Sequence, residues 1–108
     1  MLTEFAQDID GKEQATILGK RTRTNVLNAA LANGAISHVL EFDDTHTDSL
    51  YHVSSPIMPV IFSLGEYKHI SGKDCIAAFV SAFETSSRIG MAMGPDHYHA
   101  GWGICRDY

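Results

Sequence analysis

The stretch that decides the fold is TNVLNAALANGAISHVL, residues 24–40. Thr24 is a suitable helix N-cap, because its hydroxyl can accept a hydrogen bond from the first helical turn. Apolar residues then recur every three or four positions, which predicts a well-buried helix with a broad apolar face. These positions are Leu27, Leu31, Ala35 and Val39, widened by Val26, Ala30, Ile36 and Leu40. Asn33-Gly34 interrupts the pattern, and such a local conflict often marks close packing or a functional site.

Two further helices are predicted downstream. The first begins near Ser55-Pro56 or at Pro59 and runs to about Lys68, since proline is tolerated in the first turn. The second begins at Ser71, where SGKD resembles a capping box with aspartate in place of glutamate, and ends at Gly94. Their predicted core stripes are Ile57, Val60, Ile61, Leu64 and Tyr67, and then Ile76, Phe79, Val80 and Phe83.

The residues upstream of the first helix predict only minor elements. Residues 2–8 can form a short helix, residues 15–19 are brief and β-prone, and residues 20–24 are typical of a polar loop. The alternation of strands and helices seen in dinucleotide-binding folds is missing, as are the glycine-rich phosphate-binding motifs. The sequence therefore predicts an all-α fold of three main helices with connecting loops, and no nucleotide cofactor.

The composition excludes several classes of protein. A formal net charge of −5 argues against a nucleic-acid-binding protein, which needs a basic surface. Two widely spaced cysteines, Cys75 and Cys105, favour neither a disulfide framework nor a structural zinc site. The longest nearly apolar run, residues 56–64, is too short to cross a bilayer. These features predict a cytoplasmic protein with no membrane partner.

The densest group of ionisable side chains lies in EFDDTHTDSLYHVS, residues 41–54, between two predicted helices. Loops held between rigid elements commonly carry catalytic groups, and carboxylates favour the charged form of a neighbouring histidine. The segment is therefore a candidate source of proton donors, proton acceptors and cationic contacts to an anionic substrate. The candidate residues are His38, at the end of the preceding helix, and Glu41, Asp43, Asp44, Thr45, His46 and His52.

Two other interpretations of this segment stay open. Asp43, His46 and His52 could bind a divalent metal ion, although neither HExxH nor the calcium-loop spacing is present. Aspartate and threonine in such a loop also commonly cap helices and form turns. A lone histidine within a helix, such as His38, is more often a core residue than a catalyst.

Several motifs occur together in one order along the chain. They are Asn33-Gly34, His38, EFDDTH at residues 41–46, His52-Val53-Ser54, SGKDCIAAFVSAFETSSRIG at residues 71–90, Tyr98 and Gly101-Trp102. In these motifs the chain resembles the MmgE/PrpD family, whose members include 2-methylcitrate dehydratases and cis-aconitate decarboxylases. The resemblance covers about residues 15–102.

The resemblance implies the helical domain of a metal-independent acid–base lyase that acts on small di- or tricarboxylates, usually as a homodimer. By motif position, His52, Thr45 and Glu41 are the catalytic candidates. The substrate-binding candidates are Asp43, Asp44, His46 and His38.

The chain also departs from the family pattern. Glu41 stands where the family usually has aspartate, which moves the carboxylate by one methylene within a tightly positioned site. Gly103 stands where the family has an active-site histidine, and the tail, residues 103–108, does not fit the pattern. The family's substrate-binding lysines lie beyond this point. We therefore expect a partial domain of the family, inactive alone; a helical interaction module and a metal-binding fragment are the alternatives.

Overall fold

The computed structural model describes residues 4–5, 9, 11–96 and 99–100. Within this part of the chain, three helices account for most of the structure, and the prediction of a mainly helical fold is confirmed. The elements in chain order are strand β1 (Ala15–Ile17), strand β2 (Thr22–Thr24), helix α1 (Val26–His38), a 3-10 turn (Thr47–Ser49), helix α2 (Ser54–Lys68) and helix α3 (Gly72–Met93). The short helix predicted for residues 2–8 lies largely outside the described residues, as do Tyr98 and Gly101-Trp102.

The polar loop predicted for residues 20–24 is wrong at its second half. Residues 22–24 form β2, which pairs antiparallel with β1 in the register Ala15 to Thr24 and Ile17 to Thr22. The connecting turn contains Gly19, whose φ of 73° is a left-handed conformation that glycine adopts without strain. A polar sequence can form a strand here because the partner strand satisfies its backbone groups.

Glu66 fastens this hairpin to α2. Its carboxylate accepts hydrogen bonds from the backbone N–H of Thr16 at 2.7 Å and from the Thr16 hydroxyl at 2.8 Å, and it pairs with Arg23. Burial by itself raises the pKa of Glu66, but the hydrogen bonds from Thr16 and Arg23 outweigh burial and hold the pKa below its usual value.

Helix α1 begins one residue later than predicted and buries a different face. Asn25, not Thr24, is the N-cap, and its side chain accepts a hydrogen bond from the backbone N–H of Asn28 at 3.0 Å. The buried residues are Ala29, Ala32 and Asn33, whereas the predicted core residues Leu27, Leu31 and Val39 are 77%, 54% and 71% exposed. Small side chains allow β1 and α2 to approach α1 closely, and no described element covers its leucine face.

Asn33 in the unfavourable Asn33-Gly34 pair has a structural reason. Asn33 is 3% exposed; its side chain accepts from the N–H of Leu18 at 2.7 Å and donates to the carbonyl of Thr16 at 3.0 Å. At Gly34, a Cβ atom would lie 3.8 Å from the carbonyl oxygen of Ser55, an ordinary van der Waals distance, so the contact with α2 does not by itself require glycine. Pro59 lacks the N–H that would otherwise bond that carbonyl within α2. The pair therefore marks the point where α1 packs against both the hairpin and α2.

The limits of α2 and α3 agree with the predictions within one residue, but their apolar stripes are only partly covered. The Ser71 hydroxyl caps α3 by accepting from the N–H of Asp74 at 3.2 Å, and Gly94 ends it with a φ of 67°. Predicted core residues on both helices remain exposed: Val60, Leu64, Tyr67, Ile76 and Val80. An apolar groove of about 510 Å³ separates α2 from α3. No helix in the described part of the chain has the length and apolarity needed to span a membrane.

Candidate acid–base site

The junction between α1 and α2 brings two histidines and an aspartate together. His38 is the last residue of α1, and His52 lies just before α2. Between them Glu41 adopts a left-handed φ of 52°, and its N–H bonds the carbonyl of His38 at 2.9 Å. This turn reverses the chain and returns Asp43 to the end of α1.

Asp43 is shared by the two imidazoles. Nδ1 of His38 lies 3.0 Å from Oδ2 and 3.2 Å from Oδ1 of Asp43, while Nδ1 of His52 lies 3.3 Å from the same Oδ2. The rings of His38 and His52 meet at an angle of 65°, with their centroids 4.9 Å apart. The Asp43 side chain is only 8% exposed, whereas those of His38 and His52 are 26% and 14% exposed. We name these three residues the His-Asp-His cluster.

Asp43 stays ionised in this cluster. Burial raises the pKa of its carboxyl, but hydrogen bonds from His38, from Ser55 and from its own backbone N–H outweigh burial and lower the pKa below its usual value. An ionised carboxylate accepts hydrogen bonds and does not donate them, so His38 must carry its proton on Nδ1. Ser55 was not predicted as a site residue, because the sequence indicates only a helix start there.

Two of the predicted substrate-binding residues hold the local structure. Oδ1 of Asp44 accepts from the backbone N–H of Ser54 at 3.0 Å and so satisfies the first turn of α2. Nδ1 of His46 lies 2.9 Å from the hydroxyl of Ser49, and the imidazole packs edge-on against Phe83 of α3. The open interpretation that aspartate and threonine in this loop cap helices therefore applies to Asp44, and His46 likewise contacts the 3-10 turn.

The catalytic candidates Glu41 and Thr45 lie outside the cluster. Both are exposed, and within the described residues no hydrogen bond or ion pair joins either side chain to His38, Asp43 or His52. Of the three catalytic candidates, the fold brings only His52 into the cluster. The roles of Glu41 and Thr45 stay predictions.

The metal-binding interpretation needs a different set of ligands. His46 is held by the 3-10 turn and does not join Asp43 and His52. The group in the described residues that could hold a metal ion is His38, Asp43 and His52, with one ligand atom of each within 4.8 Å of the others. His38 replaces His46 because the reversal at Glu41 returns Asp43 to the end of α1.

The chain is a mainly helical domain with a histidine-rich junction between two helices. Comparison with known families identifies this domain. The MmgE/PrpD N-terminal domain matches residues 1–105, and the chain belongs to the MmgE/PrpD family. No solved structure matches the chain significantly.

Two fungal relatives are similar to the chain over most of its length. The cis-aconitate decarboxylase-like protein oryM of Aspergillus oryzae is 31% identical over 103 residues, which cover 88% of this chain and 21% of the relative. The cis-aconitate decarboxylase of Aspergillus terreus is 34% identical over 92 residues, which cover 80% of this chain and 19% of the relative. The chain thus spans about a fifth of the length of the curated relatives that it matches.

Proposed function

We propose that the chain supplies part of the active site of a lyase that acts on small di- or tricarboxylates. The observation that carries the proposal is the shared contact of His38 and His52 with the buried carboxylate of Asp43. Family membership and the two decarboxylase-type relatives support it. A cytoplasmic homodimer that needs no metal for catalysis belongs to the same proposal.

His52 is the acid–base group in this proposal, and Asp43 is its orienting residue. Nδ1 of His52 lies 3.3 Å from Oδ2 of Asp43, so the negative charge favours a proton on Nδ1 and leaves Nε2 as the proton acceptor. In a dehydration, Nε2 takes the proton from the carbon alpha to a substrate carboxylate, the C–H electron pair forms the double bond, and the hydroxyl group leaves as water after it receives a proton. In a decarboxylation, the C–C electron pair stays on the substrate when carbon dioxide leaves, and a protonated imidazole supplies the proton to carbon. Asp43 keeps its own negative charge throughout and stabilises the imidazolium.

The remaining candidate residues divide by charge. His38 and His46 can act as cationic contacts to substrate carboxylates when they are protonated. Asp44 would repel such a substrate, and its bond to Ser54 favours a structural role. Glu41 and Thr45 are proposed to orient the substrate from the exposed side of the loop.

We expect no turnover by this chain alone. A tricarboxylate needs several cationic contacts, yet the chain carries eight lysines and arginines against 13 aspartates and glutamates. Catalytic groups that act as a unit lose nearly all activity when some of them are removed. Incubation of the purified chain with cis-aconitate and with 2-methylcitrate tests this point, and clear product formation would show the expectation to be wrong.

A chimaera tests the proposed function directly. Residues 15–102, which fit the family pattern, replace the matching segment of the Aspergillus terreus enzyme so that the enzyme's own residues follow them, and decarboxylation of cis-aconitate is measured. The expected result is turnover that falls by about 100-fold or more in a His52→Gln variant, while His69→Asn, at an exposed position outside the cluster, retains activity. A folded chimaera whose turnover is unaffected by His52→Gln would refute the role of His52.

A second candidate function is a helical interaction module, and the exposed apolar faces of α1, α2 and α3 favour it. Its partner would be an apolar surface of a longer relative. Size-exclusion chromatography of the chain with and without such a relative distinguishes this function, because a module must co-elute with its partner.

A further inference from the structure

We propose that the His-Asp-His cluster is a binding site for a first-row divalent cation, with Zn²⁺ as the best-matched ion. The proposal goes beyond the lyase function, which needs no metal. Its basis is the placement of three potential ligands of the right chemistry at one partly buried point.

The spacing of the ligand atoms matches a tetrahedral site. Zinc binds imidazole nitrogen and carboxylate oxygen at about 2.0–2.2 Å, which places neighbouring ligands roughly 3.3 Å apart. The distances from Oδ2 of Asp43 to Nδ1 of His38 and of His52 are 3.0 and 3.3 Å. All three ligand atoms lie within 4.8 Å of one another, a spacing at which one ion can contact all of them.

The chemical types of the three ligand atoms determine which ion the cluster prefers. Imidazole suits zinc, copper, iron and nickel, whereas magnesium and calcium prefer all-oxygen sites. Three protein ligands leave a fourth position for water or an anion, as in open zinc sites. The His38 side chain is 26% exposed, whereas Nδ1 of His52 is buried, so His38 forms the solvent side of the cluster.

Bound zinc would oppose the proposed acid–base chemistry. The ion would take the place of the ring proton on Nδ1 of His52, and the neutral imidazole would then carry its proton on Nε2, which could no longer accept one. The cluster would then bind either a metal ion or a transferred proton. Zinc would therefore act as an inhibitor of the intact enzyme.

Calorimetric titration of the purified chain with zinc chloride tests the site, with magnesium chloride as the control ion. We expect a saturable one-to-one isotherm for zinc and none for magnesium. Asp43→Asn and His52→Asn should each weaken zinc binding by about tenfold or more. His69→Asn is the matched control, because it removes an exposed histidine and asparagine tolerates the left-handed φ of 54° at that position. Absence of a saturable zinc isotherm would overturn the proposal, as would an equal loss of affinity in His69→Asn.

If a cluster variant fails to fold, nitrogen NMR of the histidine rings tests zinc binding without any substitution. In the unsubstituted chain, zinc should shift the ring signals of His38 and His52 and leave those of His46 and His69 unchanged. Shifts at His69 but not at the cluster would overturn the proposal. None of these measurements depends on turnover, so loss of the zinc site leaves the lyase proposal standing, and an inactive chimaera leaves the zinc site standing.

Discussion

Asp43 is the residue on which the candidate site depends. It stands between histidines from two different helix ends, and its carboxylate is nearly buried. Removing one partner of a buried charged contact leaves the others unsatisfied, which costs more than the contact itself contributes. The same residue therefore links the stability of the α1–α2 junction to the position of His52.

Asp43→Asn should lower stability at neutral pH and not in acid. The folded-state pKa of Asp43 lies below its unfolded value of about 3.8, so its contribution is complete above that value and is lost as the pH falls through the folded pKa. We expect a loss of about 1–3 kcal/mol at neutral pH, which shrinks below the unfolded pKa. Urea unfolding at neutral pH and at a pH below the unfolded pKa measures the two losses of stability, with exposed Asp48→Asn as the control. An equal loss at both pH values would contradict the assignment.

At the scale of elements, single polar side chains fix how helices and strands meet. Asn33 joins α1 to β1, Glu66 joins α2 to the hairpin, and Asp44 satisfies the start of α2. Each of these side chains forms hydrogen bonds with backbone groups that lack a partner within their own helix or strand. Where helices and strands approach closely elsewhere, the residues at the contact are small.

Asn33→Ala should detach the hairpin from α1. The substitution leaves the N–H of Leu18 and the carbonyl of Thr16 without their side-chain partner, at a cost of about 1–3 kcal/mol. Asn28→Ala, on the same helix, removes only a long contact of 3.5 Å and is expected to change little. Urea unfolding and amide exchange of residues 15–17 report the effect. Unchanged exchange there would argue against this role for Asn33.

Gly90 should be the glycine of α3 that cannot be replaced. A Cβ atom there would lie 2.7 Å from Cβ of Ser49, too close for the 3-10 turn to remain in place. Gly90→Ala should therefore destabilise the chain by about 1–3 kcal/mol relative to Gly72→Ala, where no atom lies within 4 Å. Thermal unfolding of the two variants checks the difference. If Gly90→Ala is the more stable, the turn does not pack against α3 as described.

At the scale of the whole molecule, few apolar side chains are buried and many are exposed. Among the described residues, the buried apolar ones are Ala15, Ile17, Ala29, Ala32 and Val53, while Phe42 is 91% exposed and Leu40 is 72% exposed. The radius of gyration is 15.1 Å, against about 13 Å for a compact domain of this length. Large exposed apolar patches mark surfaces that other protein normally covers.

The leucine face of α1 should drive self-association in isolation. Leu27 and Leu31 lie one helical turn apart and are 77% and 54% exposed. Light scattering after size-exclusion chromatography should give a mass above that of the 11.8 kDa monomer, increasing with concentration. The double variant Leu27→Gln, Leu31→Gln should shift the distribution toward monomer. A monomer at all concentrations would refute the prediction.

Features that depend on neighbours in the chain could be predicted from the sequence alone. The helix limits follow from apolar periodicity, and the cap at Ser71 and the stop at Gly94 follow from groups within a few residues. The motifs from Asn33-Gly34 to residues 71–90 indicated the family, which the matched domain confirms. The segment at residues 41–54 was also predicted as the candidate site.

Tertiary structure decided the features that depend on residues distant in the chain. Pairing with β1 made residues 22–24 a strand, and packing against α2 buried the alanine face of α1 instead of its leucine face. The reversal at Glu41 brought His38 into the site, whereas the 3-10 turn held His46 apart from it. Periodicity shows that a helix has an apolar face, but only the neighbouring elements determine which face is covered. Residue type likewise shows that a side chain can transfer a proton, but only the path of the backbone determines its partner.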